Sequence, residues 1–170
     1  PLAHALDRMA IFMKYIEGNI WDCDADAIVI TTNGIVKGNG SLVMGRGLAL
    51  QATQMIPGID YQLGQLVSTS GNHVYEITSY VATIFSFPTK HNWRSPSDPL
   101  LIARSAKELK DLVDSPDHAH LKKIVMPRVG CGLGQLSWPM VVEPLLQRIG
   151  LDDRFHIITP PPKPKTSKGS

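Results

Sequence analysis

Met126-Pro-Arg-Val-Gly-Cys-Gly-Leu-Gly-Gln-Leu-Ser-Trp-Pro139 is the stretch on which the fold reading turns. A short apolar run, Ile124 to Met126, leads into a loop with three glycines in five residues: Gly130, Gly132 and Gly134. Ser137 as N-cap and Pro139 in the first turn then signal a helix. Strand, glycine-rich turn and helix N-terminus together make an anion site, because bare backbone N–H groups can converge on a phosphate without side-chain obstruction. Taken alone, such a loop is as often no more than a tight turn.

A second loop of the same kind changes the balance. Ala27-Ile-Val-Ile-Thr31 is a β-branched run that reads as a buried strand. Thr32-Asn33-Gly34, Gly38-Asn-Gly40 and Met44-Gly-Arg-Gly-Leu-Ala-Leu-Gln51 follow it, the last opening a helical pattern. Gly40 and Gly45 have the outer P-loop spacing, but Arg46-Gly47 stands where Lys-Ser/Thr is required. Neither loop supplies G-x-G-x-x-G, since Val43 and Gln135 occupy the last glycine's position. A Walker ATPase and a dinucleotide Rossmann domain are therefore disfavoured. Two glycine loops after two strands suit a ligand with a diphosphate between them.

The 170 residues fit one domain whose core needs no disulfides. No apolar run approaches membrane-spanning length, and Leu2 to Ala10 is interrupted by His4, Asp7 and Arg8, so no signal peptide is expected. Cys23 and Cys131 form no metal spacing, the six histidines are scattered, and a reducing cytoplasm is expected. No metal and no cofactor are expected. Formal net charge is +2, but Lys163, Lys165 and Lys168 of the tail account for it, and 14 basic residues then face 15 acidic ones. That leaves no broad electrostatic footprint for nucleic acid. Local basicity remains around Lys90, His91, Arg94 and Arg104.

Strands are expected at Ile11 to Glu17, Ala27 to Thr31, Val81 to Phe87, Ile124 to Met126 and Phe155 to Thr159. Gln65 to Thr69 and His73 to Thr78 around Ser70-Gly71-Asn72 read as a hairpin. Helices are expected at Gly45 to Met55, from Asp98-Pro99 to Ser115-Pro116, and from Ser137 to Ile149. The alternation implies an α/β fold, a mixed central sheet with helices on both faces and ligand loops at the strand carboxyl ends. Residues 1–8 read as a leader or remnant, 9–159 as the domain, and the Pro/Lys-rich 160–170 as a linker or tail.

From about Met13 to Thr159 these motifs resemble the macrodomain, the ADP-ribose-binding fold. Gly18-Asn19-Ile20 is similar to the family's early Gly-Asp-Ile, and Asn33 to the asparagine ending its second strand. Met44-Gly-Arg-Gly-Leu-Ala-Leu-Gln51 looks like its first ligand loop, and Arg128-Val-Gly-Cys-Gly-Leu133 like its diphosphate loop. Phe87-Pro-Thr-Lys-His-Asn-Trp-Arg94 resembles the Phe-Pro-Thr-Lys-x-x-Trp-Arg segment of DarG-type antitoxins, which remove ADP-ribose from modified bases. The resemblance implies adenine near Asn19 and Ile20, the diphosphate on Gly130, Cys131, Gly132 and Leu133, and the distal ribose near Asn33. Gly45 and Gly47 would let backbone approach, with Met44 and Thr89 beside them. Asn19 replaces the family's aspartate and gives up charge assistance toward the adenine amine.

Lys90 is the expected catalytic residue. It follows a buried strand end, Pro88 fixes its approach, and Trp93 can shield it from water. Its ammonium can stabilise a leaving group, or its free amine can attack the anomeric carbon of the opened sugar. A protein-deconjugating branch pairs its lysine with an aspartate where this chain has Gly134, which weakens the lysine-adduct route. Cys131 reads as small-residue filler rather than as a nucleophile. The resemblance implies an ADP-ribosyl glycohydrolase acting on a nucleic-acid base, single-stranded DNA included, or on a protein side chain. The alternatives are a non-catalytic ADP-ribose reader and an ADP-ribose 1″-phosphate phosphatase. Partners expected are ADP-ribose or an ADP-ribosylated substrate, with no membrane and a monomeric state.

Overall fold

A computed structural model describes residues 11–164. The expected leader at 1–8 and the end of the expected tail, 165–170, lie outside the described residues. Six strands form one sheet in the order β1-β6-β5-β2-β4-β3. They are β1 Lys14–Glu17, β2 Ala27–Thr32, β3 Glu76–Ile77, β4 Thr83–Pro88, β5 Ile124–Met126 and β6 Phe155–Thr159. Neighbouring strands run parallel except β3, which pairs antiparallel to β4 with Ile77 opposite Ile84. The sheet is mixed, as the alternation of elements predicts.

The apolar runs are continuous because both sheet faces are covered. Ala27 and Val29 point into one core with Phe85, Phe87, Ile124 and Phe155. Ile28 and Ile30 point into the other with Ile84, Val125 and Ile158. Helices α3 (Pro99–Val113) and α4 (Glu143–Ile149) cover the first face through Ile102, Ala106, Leu109 and Leu146. Helices α1 (Gly47–Met55) and α2 (Ile59–Ser70) cover the second through Ala49, Ala52, Ile59 and Leu63. No helix among the described residues is long and apolar enough to cross a membrane.

Two expectations need correction. Gln65 to Thr69 is not a hairpin strand but the second half of α2, and only Glu76–Ile77 of the second arm is a strand. Val67 and Thr69 favour strand locally, but Ile59 and Leu63, four apart and fully buried, set the helix through tertiary packing. Ser137 to Ile149 is not one α-helix either. Ser137 caps it, its hydroxyl accepting from Met140 N–H, but Trp138–Val142 is a π turn that becomes α only at Glu143. Pro144 explains this, because its ring would press on a carbonyl one turn back and the wider turn makes room.

Candidate functional site

Three loops leave the carboxyl ends of the adjacent central strands β2, β4 and β5 and enclose a cleft of about 840 Å³. Asn33, Met44, Gly45 and Gly47 line it from the first loop, Thr89 and Lys90 from the second, and Gly130, Cys131 and Leu133 from the third. Gly132 sits on the exposed outer turn of the third loop and is not in the lining. Asn19 and Ile20 lie elsewhere, on the 3-10 turn Ile20–Asp22 that follows β1. The Asn19 side chain accepts from Trp21 N–H at 3.0 Å, and Ile20 lines a separate cavity of about 320 Å³ with Trp21 and Asp22.

The first loop is braced by Asn33. Its Nδ2 donates to the Val43 carbonyl at 2.8 Å and its Oδ1 accepts from Ile35 N–H at 2.9 Å. One N–H and one lone pair of the amide remain for a ligand. Helix α2 supports the same loop: Leu42 N–H donates to the Asp60 carbonyl at 2.9 Å, and Gly64 lies flat against Gly40. That is why the missed helix matters to the site.

The second loop is closed on itself. Asp98 N–H donates to the Thr89 carbonyl at 2.9 Å, and Asp98 also caps α3 by accepting from Leu100 N–H at 3.0 Å. His91 Nε2 meets Asp98 Oδ2 at 3.0 Å, and this hydrogen bond holds the Asp98 carboxyl below its ordinary range. Lys90 therefore sits at the start of a pinned turn. Its carbonyl accepts from Asn72 Nδ2 at 3.1 Å, and the His91 carbonyl accepts from Gly34 N–H at 3.2 Å. At the rim, the Arg94 guanidinium lies 4.7 Å from the ring centroid of Trp93, a residue 42 % exposed.

The glycine loop uses positive φ at Gly130 (78°) and Gly132 (68°), where a side chain would be strained. Cys131 N–H donates to the Arg128 carbonyl and Gly134 N–H to the Cys131 carbonyl, so these two donors are taken within the loop. The N–H groups of Gly132 and Leu133 open the 3-10 turn Gly132–Gly134 and make no backbone bond among the described residues. Burial pushes the Cys131 thiol up, away from the thiolate a nucleophile needs, so the filler reading is the better one. A side chain at 134 would require Ser97 to shift, because a Cβ there would overlap Ser97 Oγ and crowd its Cβ.

Arg46, Ser97 and Gln135 also line the cleft and were not expected there. Arg46 lies between two glycines already marked as loop, which was a usable signal. Ser97 reaches the site only through the Asp98–Thr89 closure, and no local pattern announces it. Gln135 holds φ at 67°, unusual for a side-chain-bearing residue. Among the described residues, the cations in the lining are Arg46, Lys90 and Arg94, and no carboxylate accompanies them. A near-neutral chain thus presents a cationic cleft, suited to an anionic ligand.

No family model matches the chain. A curated relative, the DNA ADP-ribosyl glycohydrolase of Thermus aquaticus, is 31 % identical over 139 residues, covering 77 % of this chain and 36 % of the relative. The chain spans between 36 and 42 % of the length of the curated relatives it matches. Among solved structures, the macrodomain of Thermus aquaticus DarG superposes with a TM-score of 0.68 at 26 % identity, covering 88 % of this chain and 99 % of that one. Thermosipho africanus DarTG in complex with ADP-ribose gives a TM-score of 0.69 at 22 % identity, over 88 % of this chain and 42 % of that one. With its parallel central strands, its glycine loop and its Lys90 turn on one cleft, the chain is a macrodomain of the DarG type.

Proposed function

We propose that the cleft binds ADP-ribose and that the protein releases it from a modified base in single-stranded DNA. The observation that carries this reading is the cleft's charge: three cations and, among the described residues, no acid, with the Leu133 N–H of the glycine loop left without a backbone partner in the same lining. A diphosphate is neutralised there by main chain and cation together. The name of the Thermus aquaticus relative and the ADP-ribose in the Thermosipho africanus structure support the choice of ligand.

In the reaction the bond between the anomeric carbon and the base breaks, the base leaves with its electron pair, water adds its hydroxyl to the anomeric carbon, and the remaining proton of that water goes to the departing base. Lys90, on its pinned turn, places a cation where that negative charge develops. Trp93 at the rim limits water and offers a face on which a neighbouring base stacks. In this reading the protein works as a monomer in a reducing cytoplasm, where its two free cysteines stay reduced, and acts as an antitoxin.

A second reading, a non-catalytic ADP-ribose reader, is favoured by one observation: among the described residues, the lining holds no carboxylate to act as a general base. Incubation with ADP-ribosylated single-stranded DNA and ADP-ribosylated protein, side by side, decides between them. Release from DNA supports the first reading, release from protein alone moves the substrate, and tight binding without release establishes the reader.

A further inference from the structure

Two walls of the cleft meet at one residue. Ser97 N–H donates to the Gly134 carbonyl at 3.0 Å, and the next residue closes the turn that begins at Thr89. The turn carrying Lys90 therefore rests by one edge on the glycine loop. Ser97 is 6 % exposed, and its side chain lies in the slot that Gly130 and Gly134 leave open. A Cβ on Gly134 would stand 3.1 Å from Ser97 Cβ and would overlap its Oγ, while one on Gly130 would be 3.5 Å from Ser97 Cβ. Gly134 is not among the glycines with positive φ, so its backbone accepts any residue. Among the described residues, Ser97 alone stands within 4 Å of where a Cβ on Gly134 would lie, so a side chain there must displace it.

Ser97 Oγ is buried and has no hydrogen-bond partner among the described residues. Nothing in the seat rewards a hydroxyl, so the fit is one of volume and shape. We propose that Ser97 is a positioning residue for Lys90, keying the lysine turn to the glycine loop, with Gly134 kept bare as its seat. This rests on the release reading above in assigning Lys90 its work. Displacing the seat moves the turn by a fraction of a side chain's width, and a misplacement of about 1 Å can cost roughly a hundredfold in rate. Binding on the glycine loop's free N–H groups does not need the lysine turn in register.

The test is a pair of variants, Gly134→Ala and Gly134→Ala with Ser97→Gly. Gly134→Ala should lower single-turnover release of ADP-ribose from modified single-stranded DNA about tenfold or more, with ADP-ribose affinity by calorimetry within about threefold. Its Ser97 and Asp98 amides should exchange faster with solvent, because both bonds that close the turn are strained. The double variant, which removes the blocking side chain, should recover rate and exchange protection. Wild-type rate and exchange in Gly134→Ala, or a double variant no better than the single one, overturns the proposal. If the wild type releases nothing, the release reading has failed, and recovery of amide protection still judges the seat. If Gly134→Ala does not fold, restoration of folding by Ser97→Gly supports the seat and continued misfolding refutes it.

Discussion

Gly64→Ala makes a demanding test of how α2 supports the ligand loop, because helix propensity and packing predict opposite signs. Gly64 is the sixth residue of the 12-residue α2. At an exposed mid-helix site, Ala in place of Gly is worth up to about 1 kcal/mol of stabilisation. Here the added Cβ would overlap the Gly40 carbonyl oxygen and stand 2.8 Å from Leu42 N and 2.9 Å from Gly40 C. These are backbone atoms and cannot swing aside. Overpacking of this kind costs about 1–3 kcal/mol, and losing the adjacent Leu42–Asp60 bond adds about 1 kcal/mol. After subtracting the propensity gain, the net is a destabilisation of about 1–3 kcal/mol. For a domain of this size that lowers Tm by roughly 2–12 °C. Thermal and urea melts read the effect, and calorimetry with ADP-ribose should show weakened binding because the first loop has moved. A Tm equal to or above the wild type would refute the close packing of α2 on the loop.

Gly45→Glu should leave Tm nearly unchanged, since a Cβ at Gly45 meets nothing within 4 Å, yet lower ADP-ribose affinity at least a hundredfold, ~2.7 kcal/mol, by setting a carboxylate against the diphosphate; normal affinity by calorimetry would put the phosphates elsewhere. Asp98→Asn keeps an N-cap but removes the charge facing His91. The folded carboxyl lies below its ordinary 3.8, so its contribution is present above that pH and is lost as pH falls through the lower folded value. The Tm difference between wild type and Asp98→Asn should therefore shrink from about pH 6 to about pH 3, and a constant difference would show that the ion pair contributes nothing. Trp93→Ala should weaken binding of ADP-ribosylated single-stranded DNA by about 1–3 kcal/mol while leaving free ADP-ribose less affected; equal losses in filter binding would make Trp93 a wall of the ligand pocket only.

How much of this was legible in the sequence depends on the range of the interactions involved. Strands β2, β4 and β5 are short apolar runs followed at once by loop residues, so local pattern located them and their ligand loops. The Asp98 cap with Pro99 behind it marked the start of α3 to the residue. Helix α2 was hidden because its apolar face is narrow, only Ile59, Leu63 and Gly64 being buried, while Val67 and Thr69 favoured strand. That Lys90, Asn33, Gly45, Gly47 and Gly130 share one cleft was readable because their loops carry motif spacing. Asn19 was placed by motif alone, and the structure shows its side chain occupied with Trp21 N–H away from the main cleft. Ser97 could not be found that way, since its place depends on a hydrogen bond from Asp98 back to Thr89 and on an empty position at Gly134.

Lys90 bears the central claim, and one comparison tests it most directly: release of ADP-ribose from modified single-stranded DNA by wild type and Lys90→Ala, with calorimetric ADP-ribose affinity measured on both. A single ionic contact accounts for at most about tenfold in affinity, ~1.4 kcal/mol. A cation that acts as the glycosidic bond breaks is worth a hundredfold or more in rate, about 2.7 kcal/mol of transition-state stabilisation. Lys90→Arg, which keeps charge but not a compact amine, separates electrostatic help from nucleophilic attack. The predicted result is near-normal binding with release reduced at least a hundredfold in Lys90→Ala. Release at the wild-type rate in Lys90→Ala would contradict it and make Lys90 an ordinary surface lysine.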